Sequence, residues 1–312
     1  MSIAFVFPGQ GSQSVGMLSA FARSSPLIEA TFAEASAVLG YDLWKRCQEG
    51  PAEALNATEC TQPAMLTAGV ATYRLWQERG GALPQMMAGH SLGEWSALVA
   101  AGCIEFKAAV ELVRFRAEAM QAAVPQGEGA MAAIMGLEDI DVEAACHEAA
   151  NGDVVEAVNF NAPGQVVIAG AAAAVARAIE AATTKGARRA IALPISVPAH
   201  SSLMRPAAER LRERLQAIEV MPAAVPVYGV DVKRHGGPDE IRAAVVKQLH
   251  SPVYWAATVR TMISAGATHI VECGPGKVLT SLNRRVDKNR DLKMLALEDP
   301  QSLDEALATL HG

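Results

Sequence analysis

Gly89-His90-Ser91-Leu92-Gly93 is the feature that most narrows what this chain can become. It follows a short apolar run, Met86-Met87-Ala88-Gly89, that reads as a buried strand. It precedes a segment, 92–101, that reads as a helix stopped by Gly102. A chain that passes from strand to helix in so few residues needs a sharp turn. In G-x-S-x-G the glycines permit one, because a Cβ on either side would meet neighbouring backbone. The serine is then held at the tip, its hydroxyl exposed over a helix N-terminus that favours developing negative charge. That is how a nucleophile is presented in a layered α/β protein. Ser91-Leu92-Gly93-Glu94 also has the spacing of a capping box, so a second reading, in which Ser91 only caps the helix, stays open.

Composition agrees with a layered chain. The length, 312 residues, suggests about two domains. At 51% hydrophobic and 19% charged there is enough apolar material for a core and too little charge for disorder. Aromatics are only 5%, which shifts the apolar share to Ala and Val and favours helix-rich α/β over a β-sandwich. The net charge of −6, with no Lys/Arg run longer than two, argues against nucleic acid as a partner. The longest apolar run, 166–176, falls short of the roughly 18 residues that span a bilayer. The N-terminus has no basic region and only a very short apolar stretch, so no secretion signal, no membrane association and a cytoplasmic location are expected. Five cysteines without C-x-x-C spacing read as reduced thiols, with neither a zinc site nor a disulfide framework.

Along the chain, strands are expected at 3–7 and 86–89, and helices at about 29–39, 62–78, 92–101 and 106–122. From 127 to 194 the order becomes strand 130–135, helix 141–150, strands 154–158 and 165–168 joined by a loop, helix 172–183 and strand 189–193. That is βαββαβ, a ferredoxin-like unit set into a larger α/β domain made of 1–126 and 195–312. The larger pattern resumes with a helix at 203–218, a strand at 225–228, helices at 238–248 and 253–265, a strand at 269–272 and a last helix at 278–285.

A serine nucleophile needs a base. Of seven histidines, most lie in polar helices, near turns or at the terminus. His90 adjoins Ser91, but neighbouring side chains at such a turn diverge. His200, in the loop Ile195-Ser196-Val197-Pro198-Ala199-His200, follows the nucleophile in chain order and becomes the candidate by elimination. No acid stands where a hydrolase triad would need one; a backbone carbonyl or an amide such as Gln248 could orient the ring instead. In the helix 107–121, Arg116 falls on the apolar stripe of Ala109, Val113 and Met120, whereas Arg114 faces Glu111 and Glu118. An inward guanidinium needs an anion. It is either half of an internal salt bridge or a clamp for a substrate carboxylate.

Six segments, in order, carry a family resemblance: Phe7-Pro8-Gly9-Gln10-Gly11-Ser12-Gln13, Thr61-Gln62-Pro63-Ala64, Gly89-His90-Ser91-Leu92-Gly93-Glu94, Val158-Asn159-Phe160-Asn161-Ala162-Pro163-Gly164-Gln165, Val197-Pro198-Ala199-His200 and Glu272-Cys273-Gly274-Pro275-Gly276-Lys277. Over essentially its whole length the chain resembles the malonyl-CoA:acyl-carrier-protein transacylases, acyltransferases of fatty acid and polyketide synthesis. The resemblance implies an α/β-hydrolase-like large domain with a mostly parallel sheet and the ferredoxin-like insertion. It implies Ser91 as nucleophile, His200 as base, the Gln10 and Leu92 backbone amides as oxyanion hole, Arg116 on the substrate carboxylate, Gln248 orienting the histidine, and Gln62 and Asn161 in the pocket. The implied reaction moves malonyl from malonyl-CoA to the phosphopantetheine thiol of acyl carrier protein through a malonyl-serine ester, with no metal or redox cofactor. The protein is expected to be a monomer, with Lys185, Arg188, Arg189, Arg284 and Arg285 as spots where an acidic carrier could dock. The alternatives are an acyltransferase for another dicarboxylic acyl group, the malonyl-loading subunit of malonate decarboxylase, and a serine hydrolase or thioesterase. Two departures stand out. Trp95 replaces a tyrosine common after the glutamate, and Val227-Tyr228-Gly229-Val230-Asp231 lacks the asparagines often seen before Val-Asp and is one residue shorter.

Overall fold

The structure, a computed structural model, describes residues 1–195 and 197–311. Ser196, in the loop expected to carry the base, and Gly312 lie outside them. Among the described residues nine strands follow in chain order: β1 Ile3–Phe7, β2 Met86–Gly89, β3 Gly129–Met135, β4 Val155–Ala162, β5 Gln165–Ala171, β6 Arg189–Ala192, β7 Val227–Tyr228, β8 His269–Cys273 and β9 Lys293–Leu297.

Five of them form a parallel sheet in the order β7-β2-β1-β8-β9. All five residues of β1 are buried, as a strand covered on both faces requires. On one face, Phe5 and Phe7 meet Tyr73 and Trp76 edge-on. Those two rings belong to Thr58–Glu78, a helix buried along most of its length. The chain runs from β1 to β2 on one side and later returns to β8 on the other. The carboxyl ends of β1 and β2 therefore lie at a switch point, where open α/β sheets leave a crevice. Phe7 pairs with Gly89 in register, so the loop after β1 and the turn after β2 emerge together.

The remaining four strands form an antiparallel sheet in the order β4-β5-β3-β6. With helices Asp139–Ala150 and Ala172–Thr184 between its strands, this is the expected βαββαβ unit. Among the described residues no helix is long and apolar enough to cross a membrane.

Several local expectations fail for identifiable reasons. The loop expected after 158 is strand as far as Ala162, because the backbone around Asn159 pairs with Val253, the Asn161 side chain bonds His90, and the register shifts there absorb the irregularity. The helix expected at 203–218 is a 3-10 turn, Ser202–Met204, followed by Arg205–Leu215 with Pro206 in its first turn, where no amide hydrogen is needed. The strand expected at 225–228 is only Val227–Tyr228. Val278–Val286 is not the last element: β9 and the helix Pro300–His311 follow it and close the sheet's far edge.

Candidate active site

The turn after β2 is built by close approach. A Cβ on Gly89 would sit 1.9 Å from the Gly93 carbonyl carbon, and one on Gly93 would sit 1.9 Å from Phe7 O. Only glycine lets the new helix pass so near the strand ends. Ser91 at the tip has φ 51, a left-handed conformation uncommon for a residue with a side chain. The helix that follows, Gly93–Ala100, is preceded by Leu92 with no side-chain cap. Ser91 therefore does not cap it, and the capping-box reading fails: Glu94 turns away to bond Val230 N, His235 and Gln248.

Ser91 Oγ lies 2.7 Å from His200 Nε2. On the other side of the ring, Nδ1 is 2.8 Å from the backbone carbonyl of Gln248. A carbonyl can only accept, so Nδ1 carries the proton and Nε2 presents its lone pair to the serine. No carboxylate is needed to set that tautomer. Burial, and after it the charge of Arg116, push the His200 pKa down to about 3, so the ring is neutral near pH 7. His90 points elsewhere, its Nε2 2.7 Å from Asn161 Oδ1.

Arg116 is 1% exposed on the inner side of helix Phe106–Ala123. Nη1 donates to Gln62 Oε1 at 2.7 Å and Nη2 to Gln248 Oε1 at 3.0 Å. Among the described residues it forms no salt bridge, and its Nε is buried without a partner. Burial lowers its pKa to about 10, against the pull of Glu94, which leaves it a cation at neutral pH. The internal salt bridge considered from the sequence is therefore absent among the described residues. Two neutral amide oxygens hold a charge that they do not cancel. Arg114 pairs with Glu118, as expected, but Glu111 goes to Arg214 instead.

Gln248 ties the groups together. Its backbone carbonyl holds His200 and its Oε1 holds Arg116, while its Nε2 reaches Ser91 O at 3.1 Å and Glu94 Oε2 at 2.8 Å. The Gly9–Gln10 loop closes over the turn: a Cβ on Gly9 would lie 2.5 Å from His90 O and 3.7 Å from Leu92 N. A cleft of about 480 Å³ runs from there between the two sheets, lined by Gln10, His90, Asn161, Val167 and Leu279. Among the expected basic spots, Lys185 is paired with Glu148, whereas Arg285 bonds Gln165 and Pro163 O beside the cleft. Among the described residues no cluster of three His, Cys, Asp or Glu could hold a metal ion.

A family model described as the acyl transferase domain matches residues 4–297. The chain belongs to the acyl transferase family. Malonyl CoA-acyl carrier protein transacylase of Escherichia coli (strain K12) is 56% identical over 305 residues, covering 97% of this chain and 98% of that protein. The protein of the same name from Bacillus subtilis is 44% identical over 312 residues, covering 99% and 97%. The solved malonyl CoA-acyl carrier protein transacylase of Coxiella burnetii matches with a TM-score of 0.97 at 46% identity, covering 100% of this chain and 98% of that one. A malonyl-transacylase solved in complex with its type II PKS acyl-carrier protein matches with a TM-score of 0.97 at 51% identity, covering 99% and 100%.

Sequence reasoning passed over two residues of this acyl transferase's site. Glu94 is visible in the motif, but its inward direction is not. His235 reads as a turn residue, yet it is 6% exposed and 2.8 Å from Glu94. A histidine beside two glycines carries no periodic signal that could have found it.

Proposed function

We propose that this acyl transferase moves a malonyl group from malonyl-CoA to the phosphopantetheine thiol of acyl carrier protein by way of a malonyl ester on Ser91. The observation that carries the reading is Arg116: a buried cation with no carboxylate partner among the described residues, linked through Gln248 to the Ser91–His200 pair. A substrate with a free carboxylate would supply the missing charge in bidentate form.

His200 Nε2 takes the Ser91 proton as Oγ attacks the thioester carbonyl. The oxyanion is met by the Gln10 and Leu92 amides in the low-dielectric turn. The tetrahedral centre collapses, the carbon–sulfur bond breaks, and His200 returns its proton to the CoA thiolate. The malonyl ester remains on Ser91 with its carboxylate on Arg116. Gln62 and Gln248 hold the guanidinium, and Asn161 keeps His90 out of the serine's way. The carrier thiol enters through the cleft and repeats the steps in reverse, so no redox change or metal is needed to balance the reaction. Arg284 and Arg285 lie on the helix that lines the cleft and offer positive charge to an acidic carrier.

The rest of the reading follows the same lines: large domain 1–126 with 195–312, small domain 127–194, a cytoplasmic monomer. The strands of the antiparallel sheet all fall between Gly129 and Ala192, which supports that division. The test is intact mass after mixing with malonyl-CoA. A malonyl adduct should form, be absent in Ser91→Ala and be discharged by holo acyl carrier protein. Loss to water as fast as to carrier would make the protein a hydrolase.

A further inference from the structure

Glu94 and His235 have no part in the steps above, yet they lie under the site. Glu94 is a carboxylate with 1% exposure, costly to bury unless its oxygens are met. Oε1 is 2.8 Å from His235 Nε2. Oε2 accepts from Val230 N at 3.1 Å and from Gln248 Nε2 at 2.8 Å. His235 arrives there because 229–235 folds back on itself: Gly229 N donates to Lys233 O, and His235 N to Val227 O. The imidazole fills the space of a missing side chain. A Cβ on Gly229 would stand 2.8 Å from His235 Cε1 and 3.4 Å from Glu94 Oε1.

The oxygen that Glu94 presents decides which way the Gln248 amide points. A carboxylate only accepts, so Gln248 must turn Nε2 toward it, and the same Nε2 reaches Ser91 O. Oε1 is then left for Arg116. The reversed amide would set oxygen against two acceptors and an NH2 group against the guanidinium. The grip on Arg116 therefore depends on Glu94 presenting an acceptor to Gln248. His235 holds that carboxylate in place from its other oxygen. Burial works against a cation there, but the hydrogen bond and charge of Glu94, with Asp231 and Glu240 nearby, outweigh it and raise the ring above its ordinary pKa. His235 also meets the Glu94 oxygen that Gln248 does not, so the carboxylate is satisfied without a direct contact to Arg116, which leaves the guanidinium free for an outside anion.

We propose that His235 is a positioning residue for malonyl selection, acting through Glu94 and Gln248 on Arg116. The inference rests on the reading of Arg116 as the malonyl clamp, so Arg116→Ala belongs in the same experiment.

Loading from malonyl-CoA and from acetyl-CoA is timed by quenched intact mass for the full chain and its variants. His235→Ala should lower the malonyl-over-acetyl preference about tenfold, the size of one lost hydrogen bond to a charged group. The change should fall mainly on KM for malonyl-CoA. The double variant H235A/G229N places an amide in the vacated space within reach of Glu94 and should regain most of the preference. A merely structural role would depress both substrates in parallel. An unchanged preference in His235→Ala, a parallel loss, or no recovery in a folded double variant overturns the proposal. Should His235→Ala not fold, His235→Leu keeps much of the volume without a donor for Glu94: a reduced preference supports the proposal and an unchanged one overturns it. If Arg116→Ala leaves the preference intact, the clamp fails and this inference with it; if it abolishes the preference while His235→Ala does not, only the role of His235 fails.

Discussion

Ser91 carries two costs in one residue, a left-handed backbone and a hydroxyl held against a neutral imidazole. They can be separated by substitution. Ser91→Gly and Ser91→Ala both remove the hydroxyl, but only glycine relaxes φ 51. The glycine variant should be the more stable of the two by about 1 kcal/mol in denaturant unfolding, while neither forms an adduct; equal stabilities would mean that the turn stores no strain. His200 makes a second prediction. Its neutral form is the active base, and burial with the Arg116 charge holds the pKa at about 3. Because kcat/KM reports the free enzyme, its profile with malonyl-pantetheine, a substrate without titrating phosphates, should be flat from about pH 5 to 8. An acid limb centred near the ordinary histidine value would refute the buried environment. The sequence exposed Ser91 through its glycines and Arg116 through a stripe that spacing alone defines. Apart from the family resemblance, His200 came only by elimination, because a loop histidine has no period to betray it.

The elements that matter most here are held by contacts at their ends. The Gly89–Gly93 turn works because two backbones touch, so Gly89→Ala or Gly93→Ala should destabilise the fold by about 3 kcal/mol or more, read as a lowered denaturant midpoint. A loss below about 1 kcal/mol would mean that the turn can spread apart. Glu272 plays a related part on the other side of β1. Its carboxylate, fully buried at the end of β8, accepts from Leu279 N and Thr280 N and so caps the helix Val278–Val286 that lines the cleft. Glu272→Ala should cost about 1–3 kcal/mol, and Glu272→Gln distinctly less, since the amide oxygen can still accept one of the two bonds; equal losses would show that the cap contributes nothing specific. Neither role follows from periodicity. β1, β2 and Phe106–Ala123 were legible because unbroken apolar runs and helical stripes register burial directly. β4 was cut short because Asn159 and Asn161 look like turn residues until Val253 and His90 are brought to meet them.

At the scale of the whole molecule, two sheets with different hydrogen-bond patterns meet at a cleft, and the titrating groups around it shape stability against pH. Burial lowers the pKa values of His200 and His90, so the unfolded chain binds protons that the folded one refuses. Their contribution to stability is in place above about pH 6.5 and is lost as pH falls toward 3. His235 has the opposite sign: its raised pKa contributes below the ordinary value and is lost as pH rises through the folded one. Thermal unfolding between pH 4 and 7 should therefore show a steep acid loss that is shallower in His200→Gln. Equal slopes would assign the acid sensitivity to other groups. The sequence by itself determined the order and kind of the main elements, the βαββαβ unit and the residue types at the turn, because burial imposes periods on the chain. Only the tertiary structure decided that a carbonyl orients His200, that Arg116 meets two glutamines and that His235 balances Glu94. Periodicity records which side of an element faces inward; what stands opposite depends on residues tens or hundreds of positions away, brought there by packing.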